Sequence, residues 1–528
     1  MEQQRIPFVE THRFSRLFLD YVAGHEALAP LYSHLPTADG LQAAMATKSQ
    51  HPIHRELLVS RLRAQYEGME LGEALEANLK ALEGPNTFTI TTGHQLCLFT
   101  GPLYFIYKIV TAINAARKLA AAHPDKHFVP VYWMASEDHD FAEINHAHVF
   151  GQRLEWELDA AGPVGWLSTE TLSPVLDALE ELLGTRPNAP ETMALLRNAY
   201  SQANLAAATR TLVHQLFGQT GLVIIDGDDA QLKASFAPMM RKELLEQPAE
   251  PAVARNTEAL QAVGYKGQVS PRNINLFWME PGVRTRLVRT TSGFEALGHR
   301  EFSSAELMQA LESNPEQFSP NVVLRPLYQE FLLPNLAYVG GPGELAYWFQ
   351  LKGVFDAFEV PFPVLLPRNF VMLLDGGVQK KLAKLEMEPQ QLFGELEQLK
   401  KDYVNRHADN GLSLDAEKQQ LSAMYADIRT RAMAIDQTLK GAVEGEEQRQ
   451  LKALEGLEKR LLKAEKQRHE TALRQLEGIV HKLFPNNGLQ ERHDNVLPYL
   501  LRYGTDFIDQ LLEALDPLEL EMVLLKEA

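Results

Sequence analysis

Between residues 12 and 83 the apolar positions Leu17, Tyr21, Leu57, Leu58, Leu62 and Leu75 recur at helical spacing among polar neighbours. Pro30, Pro36 and Pro52 should break that pattern, since a proline inside a helix lacks the N–H and clashes with the preceding turn. The segment reads as an amino-terminal helical cap. Thr87-Phe-Thr-Ile-Thr-Thr92 follows, a β-branched and aromatic run that predicts a strand. A glycine-bounded loop and an apolar-periodic stretch from Leu103 to about Ala122 come next, and Phe128 to Ala135 reads as a second buried strand. Strand, loop, helix and strand in this order form the βαβ unit of a parallel sheet, in which ligands bind beyond the carboxyl ends of the strands.

From about 160 to 220, Gly162, Pro163, Gly184, Pro187 and Pro190 punctuate helical stretches, as in an inserted helical segment. Leu222-Val-Ile-Ile-Asp226 restores the sheet, and Ile274–Met279 with Arg284–Arg289 flank the turn signal Glu280-Pro-Gly-Val283 as a hairpin. Leu336–Gly340, a helix over Glu344–Phe358, and Pro363–Leu366 repeat β-α-β. Two such halves around insertions predict an α/β fold with a Rossmann-like, doubly wound core.

From about Gln379 onward Leu, Glu, Lys, Gln and Ala dominate. Leu414, Leu421, Ile428 and Ile435 recur every seven residues, with Met424 and Leu439 between, and Leu451, Leu454, Leu457, Leu461, Leu473, Leu476 and Ile479 mark a second stripe. The pattern predicts an antiparallel coiled-coil hairpin that breaks near Gly441–Gly445, its second helix running from Glu447 to Leu483 over about 55 Å. Such an arm either satisfies its own apolar surface or pairs two subunits. Its length favours a homodimer contact. The expected division is a core of residues 1–385, with insertions at about 160–220 and 240–320, and a helical coiled-coil domain with carboxyl-terminal helices over 386–528.

Composition narrows the function more than the fold. The 528 residues carry 51 Lys and Arg against 69 Asp and Glu, a formal −18, which opposes a broad nucleic-acid or anionic-membrane surface but leaves room for one local anion pocket. A single cysteine, Cys97, excludes an intramolecular disulfide framework or a multi-thiolate site and suits a reducing compartment. The amino terminus lacks a secretion-signal pattern and no apolar run is long enough to span a membrane, so a cytoplasmic location is expected.

Three clusters could carry chemistry. Thr92-Gly-His-Gln-Leu-Cys-Leu-Phe-Thr-Gly-Pro-Leu-Tyr104 leads to Lys108; Gly93 and Gly101 permit close backbone approach, and Lys108 could meet a phosphate or carboxylate. A plain strand-to-helix turn is the competing reading, and Cys97 reads as core. Trp133-Met-Ala-Ser-Glu-Asp-His-Asp-Phe-Ala-Glu-Ile-Asn-His146 places Glu137, Asp138, His139, Asp140, Glu143, Asn145 and His146 directly after a strand. Acid–base chemistry, a capping network and a metal site all remain open there. Ser319-Pro-Asn-Val-Val-Leu-Arg-Pro-Leu-Tyr-Gln329 precedes Tyr338-Val-Gly-Gly-Pro-Gly-Glu344; its Gly340 and Gly341 form a second backbone cradle, with Arg325 and Gln329 just ahead.

The blocks GHQLCLFTGPLYFIYKI, VPVYWMASEDHDFAEINH, SPNVVLRPLYQEFLLPNLAYVGGPGELAYWFQLK and FPVLLPRNF resemble matching segments of the bacillithiol biosynthesis cysteine-adding enzymes, in order over nearly the whole chain. The resemblance implies a core related to class I aminoacyl-tRNA synthetases with connecting-peptide insertions, and a coiled-coil domain that pairs subunits. It also implies addition of cysteine to glucosaminyl malate, the last step to bacillithiol, with ATP as co-substrate activating the cysteine carboxylate for attack by the sugar amine.

Carried over to this chain, Gly93, His94, Gln95, Thr100 and Gly101 occupy the place of the first nucleotide signature, with Lys108, Gly340 and Gly341 beside them. Lys380, Lys381 and Lys384 at best echo the lysine-rich second signature. Asp138, His139, Asp140 and His146 are then the expected catalytic groups, with His139 as the proton exchanger because an ordinary histidine titrates at about pH 6.5. Glu137, Asn145, Arg325, Gln329 and Glu344 are the expected substrate contacts, and no tightly bound metal is expected. A metal-dependent hydrolase and a nucleotide-binding scaffold are the alternatives.

Overall fold

The computed structural model describes residues 2–408 and 413–527. The chain divides into two compact units, one built mainly from Arg13–Met372 and Leu489–Leu525, the other mainly from Leu373–Gly488. A carboxyl-terminal segment thus belongs to the first unit, although it follows the helical domain in sequence.

The first unit is organised around a parallel sheet of β1 (Thr87–His94), β2 (His127–Met134), β3 (Val223–Asp226), β4 (Asn335–Gly340) and β5 (Val364–Pro367). Its order is β5-β4-β1-β2-β3, with every adjacent pair parallel. This is the doubly wound order expected from the two β-α-β halves, and its direction reverses between β1 and β4, the position beyond whose strand ends folds of this kind bind ligands. All eight residues of β1 are buried. The strand alternates threonine with Phe88 and Ile90 because both sheet faces are covered, which removes any need for a wetted face. Phe88, Ile90, Leu336, Val339, Val364 and Leu366 pack with Leu41, Met45, Ala112 and Leu119 in one apolar cluster.

Helix α1 (Tyr104–Ala122) connects β1 to β2, and α2 (Arg325–Leu332) and α3 (Pro342–Phe358) flank β4. The amino-terminal cap consists of Arg16–Val22, Ala38–Lys48, Arg55–Gln65 and Glu73–Ala81, with Pro30 tolerated in a 3₁₀ turn over Glu26–Leu31. The insertion holds helices Ser173–Leu183, Ala189–Tyr200 and Leu205–Phe217. The hairpin forms as expected from Leu276–Glu280 and Val283–Arg289, pairing Glu280 with Val283, and it grows into a second five-stranded sheet with Phe294–Ala296, Arg300–Phe302 and Phe318–Pro320.

In the second unit, Asp415–Ile435 and Lys440–Arg468 run antiparallel, with Lys418 bonded to Glu458 at 2.8 Å and Arg429 to Glu447. The break differs from the expected one. It falls at Asp436–Leu439, where the Asp436 carboxylate accepts the Thr438 N–H at 2.8 Å, while Gly441 and Gly445 lie inside the following helix. The aspartate caps the start of a new segment, whereas isolated glycines cost only about 1 kcal/mol each inside a helix and need not break it. The expected helix from Glu447 to Leu483 is likewise interrupted at His469, with a separate helix over Glu470–Leu483. No helix among the described residues is long and apolar enough to cross a membrane.

Candidate active site

The three predicted segments meet at the carboxyl ends of β1, β2 and β4. Gly93 lies beside Tyr338 and Arg325: a Cβ there would make ordinary contact, 3.4 Å from the Tyr338 hydroxyl and 3.5 Å from Arg325 Nη1. Gln95 Nε2 donates to Asp138 Oδ2 at 2.8 Å and to Glu143 Oε2 at 2.7 Å, so one amide binds the loop after β1 to two carboxylates after β2. The loop itself is strained. Phe99 and Thr100 have φ of 52° and 71°, and Gly101 has φ of 66° with no room for a Cβ, which would come within 2.6 Å of Cys97 Cβ. Tyr200 accepts the Phe99 N–H at 2.7 Å, and Asn495 donates to the Phe99 and Gly101 carbonyls at 2.8 and 2.7 Å. The buried Thr100 hydroxyl has no hydrogen-bond partner, an unmet polar group in the loop expected to cradle a nucleotide.

Lys108 does not stand free for an anion. It is 1% exposed, donates to the Gly93 carbonyl, and meets Glu344 Oε1 and Oε2 at 2.8 and 2.9 Å. Glu344 also accepts from the Tyr338 hydroxyl at 2.7 Å and from the Gly341 N–H at 2.9 Å. Burial opposes its ionisation, but Lys108 and these donors hold its carboxyl below the usual range. Gly340 ends β4 and Gly341 caps α3, with that carboxylate already at the helix start. His94 stacks on Phe105 at 4.8 Å, and burial with the nearby Lys108 charge lowers its pKa to about 3, leaving a neutral imidazole. Cys97 is buried as expected; burial and the Glu143 and Asp138 carboxylates push its thiol up to about 12, although His94 Nε2 lies 3.9 Å away. Neither group has the ionisation state of an activated nucleophile.

The acidic segment divides into inner anchors and outer groups. Glu137 is buried and its carboxylate meets Lys233 at 2.6 Å; Lys233 also meets Asp228 at 2.7 Å. Burial shifts Glu137 upward despite that partner. Asn145 is buried, donating to Glu155 at 3.3 Å and to the Trp156 carbonyl at 3.2 Å, so it closes the hairpin of His146–Val149 and Gln152–Glu155. His146 Nδ1 contacts Asn145 Oδ1 at 3.1 Å on that hairpin, beside His148. Glu137, Asn145 and His146 thus have structural partners. Asp138, His139 and Asp140 sit on the outer turn, where Asp138 Oδ1 accepts the His139 N–H at 2.7 Å and the Asp140 N–H at 3.4 Å.

Sequence reading missed Arg284. It lies on the second strand of the hairpin, stacks over Phe277 at 4.0 Å, donates to Ser319 Oγ at 3.2 and 3.1 Å, and reaches His139 Nδ1 at 2.7 Å. Burial lowers its pKa, and Glu137, Asp138 and Asp228 oppose that shift. A guanidinium can only donate, so Nδ1 of His139 accepts and its neutral ring carries the proton on Nε2. Burial and Arg284 both lower the His139 pKa. With Arg284 on Nδ1, the Nε2–H of the neutral His139 ring is left as a donor. No local motif marks Arg284, because the insertion brings it from far along the chain.

Arg325 is half-buried and donates to Gln329 Oε1 at 3.0 Å, with its guanidinium carbon 5.8 Å from the Tyr338 ring centre. Gln329 is wholly buried. Lys380, Lys381 and Lys384 are exposed on helix Gly376–Lys384 of the second unit. Among the described residues, no group of three or more His, Cys, Asp or Glu is arranged to hold a metal ion.

Comparison with known proteins places this arrangement. The family model described as Bacillithiol biosynthesis BshC, N-terminal Rossmann-like domain, matches residues 1–369, and that of the BshC C-terminal coiled-coil domain matches 371–527. The chain is similar to the "Putative cysteine ligase BshC" of Cytophaga hutchinsonii, 41% identical over 517 residues and covering 97% of each chain. It is also similar to the protein of the same name from Flavobacterium psychrophilum, 40% identical over 528 residues and 99% of each. A solved structure named "putative arginyl t-RNA synthetase" from Campylobacter jejuni aligns with 83% of this chain and 97% of its own at 12% identity, with a TM-score of 0.23, too loose a fit to bear on the fold. With both domains matched in order along almost its whole length, the chain belongs to the bacillithiol biosynthesis BshC family.

Proposed function

We propose that the strand ends of β1, β2 and β4 form the site at which this chain joins the carboxyl group of cysteine to the amine of glucosaminyl malate, with ATP as co-substrate. Membership of the family makes the chain an enzyme of the ligase class in bacillithiol biosynthesis. The observation that carries the finer reading is the convergence of a strained glycine loop, the Gln95-bound carboxylates and Arg325 around Gly93.

The reaction is balanced if a cysteine carboxylate oxygen attacks the α-phosphorus and pyrophosphate leaves, after which the amine nitrogen attacks the acyl carbon and AMP leaves. The chain's own residues have distinct parts in that sequence. Loop 93–101, with the unpaired Thr100 hydroxyl, contacts phosphate. Because Lys108 is neutralised by Glu344, Arg325 is the remaining cation beside Gly93 for an anionic group. Asp138, an acceptor within reach of solvent, takes the amine proton, and His139 Nε2–H donates to the developing oxyanion. Asp140, on the same turn, adds negative charge on the amine's side. The other predicted contacts, Glu137, Asn145, His146 and Gln329, hold these groups in place.

The two long helices of the second unit bury no residue; Met424, Ile428, Ile435, Leu457 and Leu461 are exposed on them, and Leu439 is exposed in the turn between. That apolar surface supports homodimer formation through the coiled coil. A cytoplasmic location suits the substrates and the lone thiol.

The test is direct. Purified chain incubated with cysteine, ATP and glucosaminyl malate should give a product heavier by one cysteinyl group, and Asp138→Ala should lose it while retaining the fold by circular dichroism. Absence of cysteine-dependent product from the unaltered chain would overturn the ligation reading; undiminished turnover by the variant would overturn the role of Asp138.

A further inference from the structure

Behind Arg325 runs a buried polar chain that the proposed chemistry does not use. Glu330 is wholly buried, and its Oε1 accepts from Gln329 Nε2 at 2.8 Å and from Asn335 Nδ2 at 2.6 Å. Its Oε2 has no hydrogen bond and faces Lys48 Nζ at 3.8 Å, while that lysine donates to the Glu330 main-chain carbonyl at 2.8 Å. Oε1 accepts from both neighbouring amides, so each turns its NH₂ group toward it. Both amide carbonyls then point the other way. That of Gln329 accepts from Arg325 at 3.0 Å, and that of Asn335 accepts the Thr89 and Thr91 hydroxyls at 3.1 and 2.8 Å. One side chain therefore orients both the guanidinium beside Gly93 and the strand that carries Gly93.

We propose that Glu330 is a positioning residue for substrate anion binding, fixing the Gln329 amide so that its carbonyl holds Arg325 beside Gly93. The inference rests on the reading of Arg325 as the anion contact. An apolar residue at 330 would leave the Gln329 amide free to turn its NH₂ group onto the guanidinium, two donors face to face, and Arg325 would swing away. Glutamine at 330 keeps an oxygen that can serve both amides and meets Lys48 only where no hydrogen bond exists now.

Two readouts test this on the full-length chain. In the first, phenylglyoxal modification of individual arginines is followed by peptide mass spectrometry, with the buried Arg368 as internal control for folding. Glu330→Leu should raise the modification rate at Arg325 by about tenfold, the worth of one lost charge-assisted hydrogen bond, with Arg368 unchanged and with Glu330→Gln close to the unaltered chain. In the second, Glu330→Leu should raise the KM for glucosaminyl malate by about tenfold at nearly constant kcat, and Glu330→Gln should rescue it. Should Arg368 also become reactive in Glu330→Leu, Gln329→Leu removes the same carbonyl and must expose Arg325 alone. An Arg325 as protected in the folded leucine variants as in the unaltered chain overturns the proposal. Failure of the unaltered chain to ligate cysteine would sink the functional reading, and the arginine mapping would still decide the positioning.

Discussion

Replacing Lys108 by methionine tests the most heavily bonded pair in the candidate site. Methionine nearly matches the lysine stem in volume, so the change removes the charge and three donated hydrogen bonds, to Gly93 and to both oxygens of Glu344, without opening a large cavity. Breaking a buried ion pair on one side costs about 3–5 kcal/mol because the remaining charge is stranded. Here Glu344 keeps the Tyr338 hydroxyl and the Gly341 N–H, and its side chain is 27% exposed, so the lower range of about 2–3 kcal/mol applies. Adding Glu344→Gln to that variant removes the stranded charge and should recover about 1 kcal/mol or more, so the two changes are not additive. All five tryptophans, Trp133, Trp156, Trp166, Trp278 and Trp348, lie in the first unit, so urea unfolding followed by tryptophan emission reports on that unit alone. A loss below about 1 kcal/mol in Lys108→Met, or strict additivity in the double variant, would refute the claim that Glu344 consumes the lysine charge.

Arg284→Met should raise the His139 pKa toward the ordinary value of about 6.5, since a neighbouring cation now lowers it; an unmoved titration of the imidazole carbon-bound proton by NMR would contradict the donor assignment. The only cysteine provides a clean chemical probe: with its thiol pushed up to about 12, Cys97 should react with a maleimide at pH 8 far more slowly in the native chain than in urea, and equal rates would contradict its burial. Ile435→Asp together with Leu457→Asp should convert a dimer to monomer in sedimentation velocity without loss of helical dichroism; an unchanged sedimentation coefficient would exclude those faces as the contact. Because Glu344 is held below the usual carboxylate range, its contribution to stability is complete above its unfolded value of about 4.3 and is lost as pH falls through the lower folded value; acid unfolding of Glu344→Gln should therefore show a weaker pH dependence in that window.

The strands of the core were legible because a sheet covered on both faces needs uninterrupted runs such as Phe88–Thr92 and Val129–Met134, and no helix period fits them. The glycine loop and the outer acidic turn were legible as a candidate site because both follow such runs directly. The partners of charged residues were not. Nothing in local spacing tells that Lys108 is matched by Glu344, 236 residues later, or that His139 receives Arg284 across 145 residues. Partners outside the segment also decided which of its members face inward: Glu137 is claimed by Lys233, and Asn145 by the Trp156 carbonyl after its hairpin. The helical break at Asp436 was misread for a different reason, since glycine and a capping aspartate are both boundary signals and only the latter satisfies an N–H.

These pairings also bear on how a chain of formal charge −18 would receive the anionic substrates of the proposed reaction. The carboxylates nearest the loop after β1 are bridged by Gln95, a neutral donor that gathers Asp138 and Glu143 without cancelling their charge. Lys108 is held by Glu344 beneath Gly93, so it stabilises the strand end without offering net charge. What remains is an acidic side around Asp138 and a basic side at Arg325, and that polarity suits a reaction in which a protonated amine must lose a proton while a phosphate or carboxylate is held in place. A substitution that reverses one side, such as Arg325→Glu, should therefore weaken the anionic substrate by more than Arg325→Ala, because it adds repulsion to the loss of a contact. Measured KM values for the two variants decide the point: if they are equal, Arg325 does not face the anion.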